Sequence, residues 1–138
     1  MLKVFEFRMV IEPEAASLAA LRITKEQLEE LEEYLRLGMA EDCSREVFRS
    51  LDVKFHLTIA KASNNLYYEK AVRQIRTLIN PVLDLMPYDH DIRAINNEKH
   101  ARLLEAIKSR DHERSKEMMR QHISKSADAI KARVFDNI

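Results

Sequence analysis

Glycine and proline are scarce in this chain of 138 residues, which contains one glycine and three prolines. β-Sheets with tight hairpins need more of these turn-forming residues, so the composition favours an all-α fold with short connections. The single glycine also excludes a glycine-rich phosphate loop, a dinucleotide-binding fingerprint and the G-x-S-x-G nucleophile elbow of hydrolases. Several common classes of enzyme are thereby excluded.

Cysteine is equally rare, because Cys43 is the only one. An intramolecular disulfide and a cysteine-based zinc motif are therefore impossible, which is compatible with a reducing compartment. No apolar run reaches membrane-spanning length, and no charged segment followed by an apolar one opens the chain. We expect a cytoplasmic protein without a membrane partner.

The charges balance, with 23 Lys and Arg residues against 23 Asp and Glu residues. A neutral chain lacks the excess positive charge that nucleic-acid binding requires, so we do not expect these residues to bind DNA or RNA by themselves. The length fits one domain, residues 1–138, which can remove roughly two-thirds of its unfolded surface from water.

The spacing of apolar residues predicts an antiparallel bundle of about six helices. The first helix should run to about Arg22, with a kink or a break near Pro13. Thr24 and Gln27 form a capping box that starts the second helix, which we expect to end near residue 42. The remaining helices are predicted from Ser44 to a turn at 63–65, over 66–84, over 92–109 and from Asp111 onward.

Four polar residues in this predicted bundle suggest a functional site. Asp52 and His56 are four residues apart in the predicted third helix, so both lie on one face, one turn apart. His100 and His122 lie in the predicted fifth and sixth helices, and all three histidines have apolar neighbours in the sequence. If these helices pack together, three nitrogens and one oxygen converge, which suits a divalent transition metal.

Each of these residues also has an ordinary interpretation. A single histidine in a helix is usually a surface residue or a core residue with a hydrogen-bond partner, and an Asp–His pair at this spacing is common on helix surfaces. The apolar neighbours favour the metal site, because buried histidines need partners and a shared ion would satisfy three together.

Arg8 is the cation of the first helix that stands out, since apolar residues flank it. A buried arginine requires a carboxylate partner, either from Glu12, four residues later, or from a ligand. The alternative is an ordinary pair of Arg8 with Glu12 on the surface.

Four segments, in order, resemble the motifs of a known family. They read FEFRMVIEPEAASLAALR, LDVKFHLTIAKASNN, EKHARLLEAIKSRD and MMRQHI. Together they resemble the FCD domain, the all-helical C-terminal effector domain of the FadR subfamily of GntR-type transcription regulators. The resemblance extends through nearly the whole chain.

The resemblance implies a metal such as zinc or nickel, held by Asp52, His56, His100 and His122. It also implies a pocket beside the metal for a small carboxylate effector, and a homodimer. Arg8 matches the family's first-helix arginine and Asn65 matches the asparagine of its S-x-N turn, so both are candidate ligand-binding residues.

The chain departs from the family in two ways. Lys99 stands where the family usually has an acidic residue, which leaves the metal ligands unaffected. The winged helix-turn-helix that carries DNA binding in the family is absent from this chain. The chain is therefore either an excised domain or a stand-alone sensor, and DNA binding belongs to the implied parent protein.

We thus expect a metal-dependent sensor of an organic acid and a dimerisation domain of a bacterial regulator. The metal could instead be purely structural. One alternative is a metalloenzyme, because a site with three histidines and one aspartate could activate water. The sequence offers no persuasive general base and lacks the H-E-x-x-H and paired Glu-x-x-His motifs, so we expect no enzyme. The other alternative, a metal-free helical interaction module, requires the four ligands to coincide by chance.

Overall fold

A computed structural model describes residues 2–136, with side chains described for residues 3–133. This part of the chain folds into six α-helices and contains no β-strand, which confirms the predicted fold class. The helices are α1 (Leu2–Arg22), α2 (Lys25–Gly38), α3 (Arg45–Ala62), α4 (Leu66–Leu83), α5 (His90–Lys108) and α6 (His112–Asp136).

The predicted helix starts are correct where a side chain caps the first turn. The Thr24 hydroxyl accepts from the backbone N–H of Gln27 at 3.2 Å, and the Gln27 side chain accepts from the N–H of Thr24 at 3.0 Å. Ser44 and Asp111 likewise accept backbone N–H groups at the starts of α3 and α6. These short polar side chains satisfy amides that the helix leaves without partners, so they fix where each helix begins.

Two boundaries differ from the prediction. α2 ends at Gly38 and not near residue 42, and the Gly38 carbonyl, which the helix end leaves without an intrahelical partner, accepts a hydrogen bond from Nδ2 of buried Asn97 at 2.8 Å. α5 begins at His90, two residues early, since the Asp89 carboxylate caps it. α1 continues through Pro13 rather than dividing there, and a bend at that residue stays a prediction.

α1 lies at the centre of the bundle, where it contacts α3, α4, α5 and α6. Its C-terminal half carries small side chains that are almost completely buried, which lets neighbouring backbones approach closely. These are Ala15, Ala16, Ala19 and Ala20. α2 packs on α3 and α5, so helices from every part of the chain enclose the apolar core around α1. Among the described residues, none of the helices is both long enough and apolar enough to cross a membrane.

Candidate metal centre

The structure brings the four predicted ligands together. α3 supplies Asp52 and His56 from its buried face, α5 supplies His100 and α6 supplies His122. One donor atom from each side chain lies within 4.8 Å of the others. Their assignment as metal ligands stays a prediction, but the convergence that it required is present.

The donor atoms can be identified because they have no other partner. Nε2 of His56, Nε2 of His100 and Nδ1 of His122 are buried and form no hydrogen bond. Oδ1 of Asp52 lies 3.4 Å from Nε2 of His56 and 3.3 Å from Nε2 of His100. Both distances are longer than an ordinary hydrogen bond, so this oxygen is a poor hydrogen-bond partner for the two nitrogens. Buried polar atoms without a partner are rare, so this arrangement fits a bound ion.

The spacing of these atoms also suits a transition metal. Bonds of about 2.1 Å place two ligands on opposite sides of an ion about 4.2 Å apart. The spread of up to 4.8 Å is slightly wider than that, so small side-chain rotations would bring all four atoms to bonding distance. Three imidazole nitrogens and one carboxylate oxygen could therefore bind a divalent ion with positions left open.

The ionisation of the cluster favours metal binding. Burial lowers the pKa of His100, and burial together with the nearby His100 and His56 rings holds the pKa of His122 well below its ordinary value. Burial opposes ionisation of Asp52, but the Arg76 guanidinium and the histidine contacts outweigh it and hold the pKa of Asp52 well below its ordinary value. Two neutral imidazoles and a carboxylate are the forms that bind metals.

A carboxylate from α1 orients one of the rings. Glu12 is buried, and its Oε1 lies 2.7 Å from Nδ1 of His56 while Oε2 pairs with Nε of Arg8. Burial raises the pKa of Glu12, but Arg8 and His56 outweigh this effect and lower it below its ordinary value. An ionised Glu12 can only accept, so Nδ1 of His56 donates and Nε2 is left for a metal.

Two arginines orient the aspartate in the same way. Nη2 of Arg76 donates to Oδ2 of Asp52 at 2.5 Å, and Nη1 of Arg49 donates to the same oxygen at 2.7 Å. Oδ1 is left to face the histidines. The sequence interpretation missed both arginines.

A signal for Arg76 was present in the sequence. Arg76 shares a stripe at helical spacing with Val72, Ile75 and Ile79, and all four are buried. An arginine inside an apolar stripe is therefore a sequence signal for a buried polar site.

The cluster opens into a cavity of about 250 Å³. Asp52 and His122 line its wall together with several cationic side chains, whereas Asp52 is the one acid among the described residues that line it. The cations are Arg8, Arg45, Arg49, Arg76, Lys99 and Lys125. Such a cavity suits a small anionic molecule.

The two predicted ligand-binding residues have different surroundings. Arg8 is 2% exposed, pairs with Glu12 and lines the cavity, so the pair forms in the interior and not on the surface. Asn65 lies outside the set of cavity-lining residues, and its Oδ1 accepts from the N–H of Tyr67 at the start of α4. The structure thus gives Asn65 a capping role, and its contact with a ligand stays a prediction.

The fold and the site together define a helical ligand-binding domain with a candidate metal centre. A family model described as the FCD domain matches residues 3–125. The chain therefore belongs to the FCD domain family, the effector-binding domains of GntR-family regulators. These are regulatory domains without enzymatic activity, which confirms the expectation of no enzyme. FCD domains bind small effectors and dimerise.

Solved structures show the same architecture. Streptococcus agalactiae GntR is 28% identical, with a TM-score of 0.74 over 90% of this chain and 56% of that protein. E. coli McbR/YncC is 21% identical, with a TM-score of 0.85 over 96% of this chain and 64% of that protein, a likeness of fold alone. The chain thus spans less than two thirds of the length of either protein. No curated protein matches the chain.

Proposed function

We propose that this chain is the metal-dependent sensing and dimerisation domain of a bacterial GntR-family regulator that responds to a small organic acid in the cytoplasm. The observation that carries the proposal is the set of three buried, unpartnered imidazole nitrogens facing one aspartate oxygen beside a cationic cavity. Buried nitrogens of this kind favour a metal ion, and the surrounding cations favour an anionic effector.

In the proposed site, Asp52, His56, His100 and His122 hold a divalent transition metal, zinc or nickel. These four ligands leave open positions on an octahedral ion. A carboxylate of the effector fills them from the side of the cavity. Arg8 lies on the cavity wall and neutralises the remaining charge of that carboxylate.

The regulation would follow from the positions of the donors. They lie on α3, α5 and α6, and Glu12 connects α1 to the same centre. An effector that binds one arrangement of these helices more tightly shifts the population toward it. In a homodimer, such a shift changes the spacing of two DNA-binding domains, which would be winged helix-turn-helix domains elsewhere in the parent protein.

Metal analysis of the purified full chain tests the site. We expect about one zinc or nickel ion per chain in the wild type after loading and gel filtration, and far less in His56→Ala and His122→Ala. His90→Ala is the matched control, because the His90 side chain is 76% exposed and should leave the metal content unchanged. A wild-type protein that retains no stoichiometric metal would refute the proposal.

A thermal-shift titration separates a sensory metal from a structural one. Succinate should raise the unfolding midpoint of the metal-loaded protein and have no effect after chelation. An equal shift with and without the metal would show that the carboxylate does not bind at the ion.

A further inference from the structure

The outer part of the cavity carries two lysines. Lys99 on α5 is half-buried and Lys125 on α6 is exposed, and both line the cavity. Two ammonium groups on the wall of one cavity attract an anion.

The protein itself does not supply that anion. Within the described part of the chain, neither lysine forms an ion pair with an acid. Asp52 already contacts Arg76 and Arg49 through Oδ2, and Oδ1 faces the histidines. The outer positive charge of the cavity is thus not neutralised by any acid on the cavity wall.

The cationic side chains of the cavity differ in how deeply they are buried. Arg8, Arg76 and the candidate metal centre form the buried end, whereas the lysines lie toward solvent. Lys125 follows His122 by three residues on α6, which is about 4.5 Å along the helix axis. Apolar side chains, including Phe48, line the cavity as well. A cavity that combines buried cations, apolar side chains and cations nearer solvent suits a short hydrocarbon chain with an anionic group at each end.

We infer that the effector carries two anionic groups, and that Lys99 together with Lys125 binds the outer one. Lys99 then determines specificity, because it selects a dianion over a monoanion of the same length. The inference rests on the proposed function, since the inner carboxylate binds at the metal.

Isothermal titration of the metal-loaded full chain with matched four-carbon acids tests this assignment. Butyrate has one carboxylate, succinate has two, and 4-aminobutyrate has an ammonium group at the outer end. Succinate should bind at least about tenfold more tightly than butyrate, as expected for a charged hydrogen bond to a partly buried lysine. 3-Phosphonopropionate carries an outer phosphonate, so its affinity relative to succinate shows which anionic group the outer subsite prefers.

Two substitutions at Lys99 test the residue itself. Lys99→Gln should reduce the preference for succinate to about twofold, since Lys125 is then the one lysine left to bind the outer anionic group. Lys99→Glu should reverse it, so that 4-aminobutyrate binds more tightly than succinate. Lys70→Gln, a change of an exposed lysine on α4 outside the cavity, should keep the wild-type preference.

Equal binding of butyrate and succinate, or a preference that Lys99→Gln leaves intact, would overturn the inference and leave the proposed function standing. If the metal-loaded protein binds none of these acids, the proposed function and the inference both fail. A reversed preference in Lys99→Glu cannot arise from a general loss of folding, so it would support the assignment of the outer subsite.

Discussion

Glu12 is the residue through which α1 reaches the candidate metal centre. It is almost completely buried, accepts from Nδ1 of His56 and pairs with Arg8. A carboxylate that accepts from a metal-binding histidine fixes the orientation of the ring and makes the opposite nitrogen a better donor. The sequence identified Glu12 only as a partner for Arg8, because nothing in a sequence states which ring a buried carboxylate will contact.

We predict that Glu12→Gln weakens metal binding about tenfold, since the neutral amide keeps an acceptor but loses the charge that polarises His56. Competition with a chelator measures the dissociation constant. Glu14→Gln is the control, because Glu14 lies on the same helix but pairs with exposed Lys116. Identical metal affinities for the wild type and Glu12→Gln would contradict the orienting role.

Acid should destabilise the metal-free protein through His100 and His122. Both have lowered pKa values in the folded protein, whereas an unfolded histidine titrates near 6.5. Below that pH the unfolded chain binds more protons than the folded one, so stability falls as the pH decreases and is unaffected by these groups above it.

Unfolding midpoints of the chelated protein between pH 8 and pH 5 measure this effect. His122→Gln should depend less steeply on pH below about 6.5, whereas His90→Gln, at an exposed histidine, should follow the wild type. A midpoint that is constant from pH 7 to pH 5 would show that the buried rings do not resist protonation.

At the scale of the helices, Gly38 at the end of α2 is closely approached by the side chain of Asn97. A Cβ atom at Gly38 would lie 3.0 Å from Oδ1 of Asn97, and the Asn97 side chain is held by its hydrogen bond to the Gly38 carbonyl. Alanine normally stabilises a helix relative to glycine by about 1 kcal/mol. Here the contact opposes that gain, because Asn97 cannot move without losing its hydrogen bond.

We predict that Gly38→Ala lowers the free energy of unfolding by about 1 kcal/mol, within the range for overpacked positions. Urea denaturation of the single variants and of the double variant with Asn97→Ala measures the coupling. In the Asn97→Ala background the same change should be neutral or stabilising. An equal loss in both backgrounds would place the cause in the backbone and not in this contact.

The helices could be predicted from the sequence where a local signal marks them, and less well where a distant contact decides. A capping side chain that accepts a backbone N–H marks the helix start at Thr24, Ser44 and Asp111. The glycine at the end of α2 was a local stop signal, but the partner of its carbonyl, Asn97, lies 59 residues away and could not be predicted locally. In the site, the three histidines and Asp52 were recognisable from their spacing and apolar neighbours. Arg76, which lies on α4 and orients Asp52, was marked only by its place in an apolar stripe, and the sequence does not state which carboxylate it contacts.

For the whole molecule, the metal should act as a link between helices that are distant in sequence. The donors come from α3, α5 and α6, and an unfolded chain would not hold them together. An ion that binds only the folded state at a free concentration 100 times its dissociation constant stabilises it by about 2.7 kcal/mol.

Removal of the metal by a chelator should therefore lower the unfolding midpoint by several degrees. Differential scanning calorimetry with and without zinc measures this, and His122→Ala should be insensitive to the addition of zinc. A wild-type midpoint that zinc does not raise would show that the ion does not bind the folded state preferentially.

The three unpartnered imidazole nitrogens have a consequence for the selection of stable variants. Each is a buried polar atom that forms no hydrogen bond with another described protein group, and an apolar side chain of similar size would avoid that penalty when no ion is bound. A directed-evolution screen for heat resistance in a chelating buffer will therefore enrich replacements of His56, His100 and His122. The same screen in the presence of zinc should retain them, so the growth medium determines whether selection for stability preserves or removes the candidate metal centre.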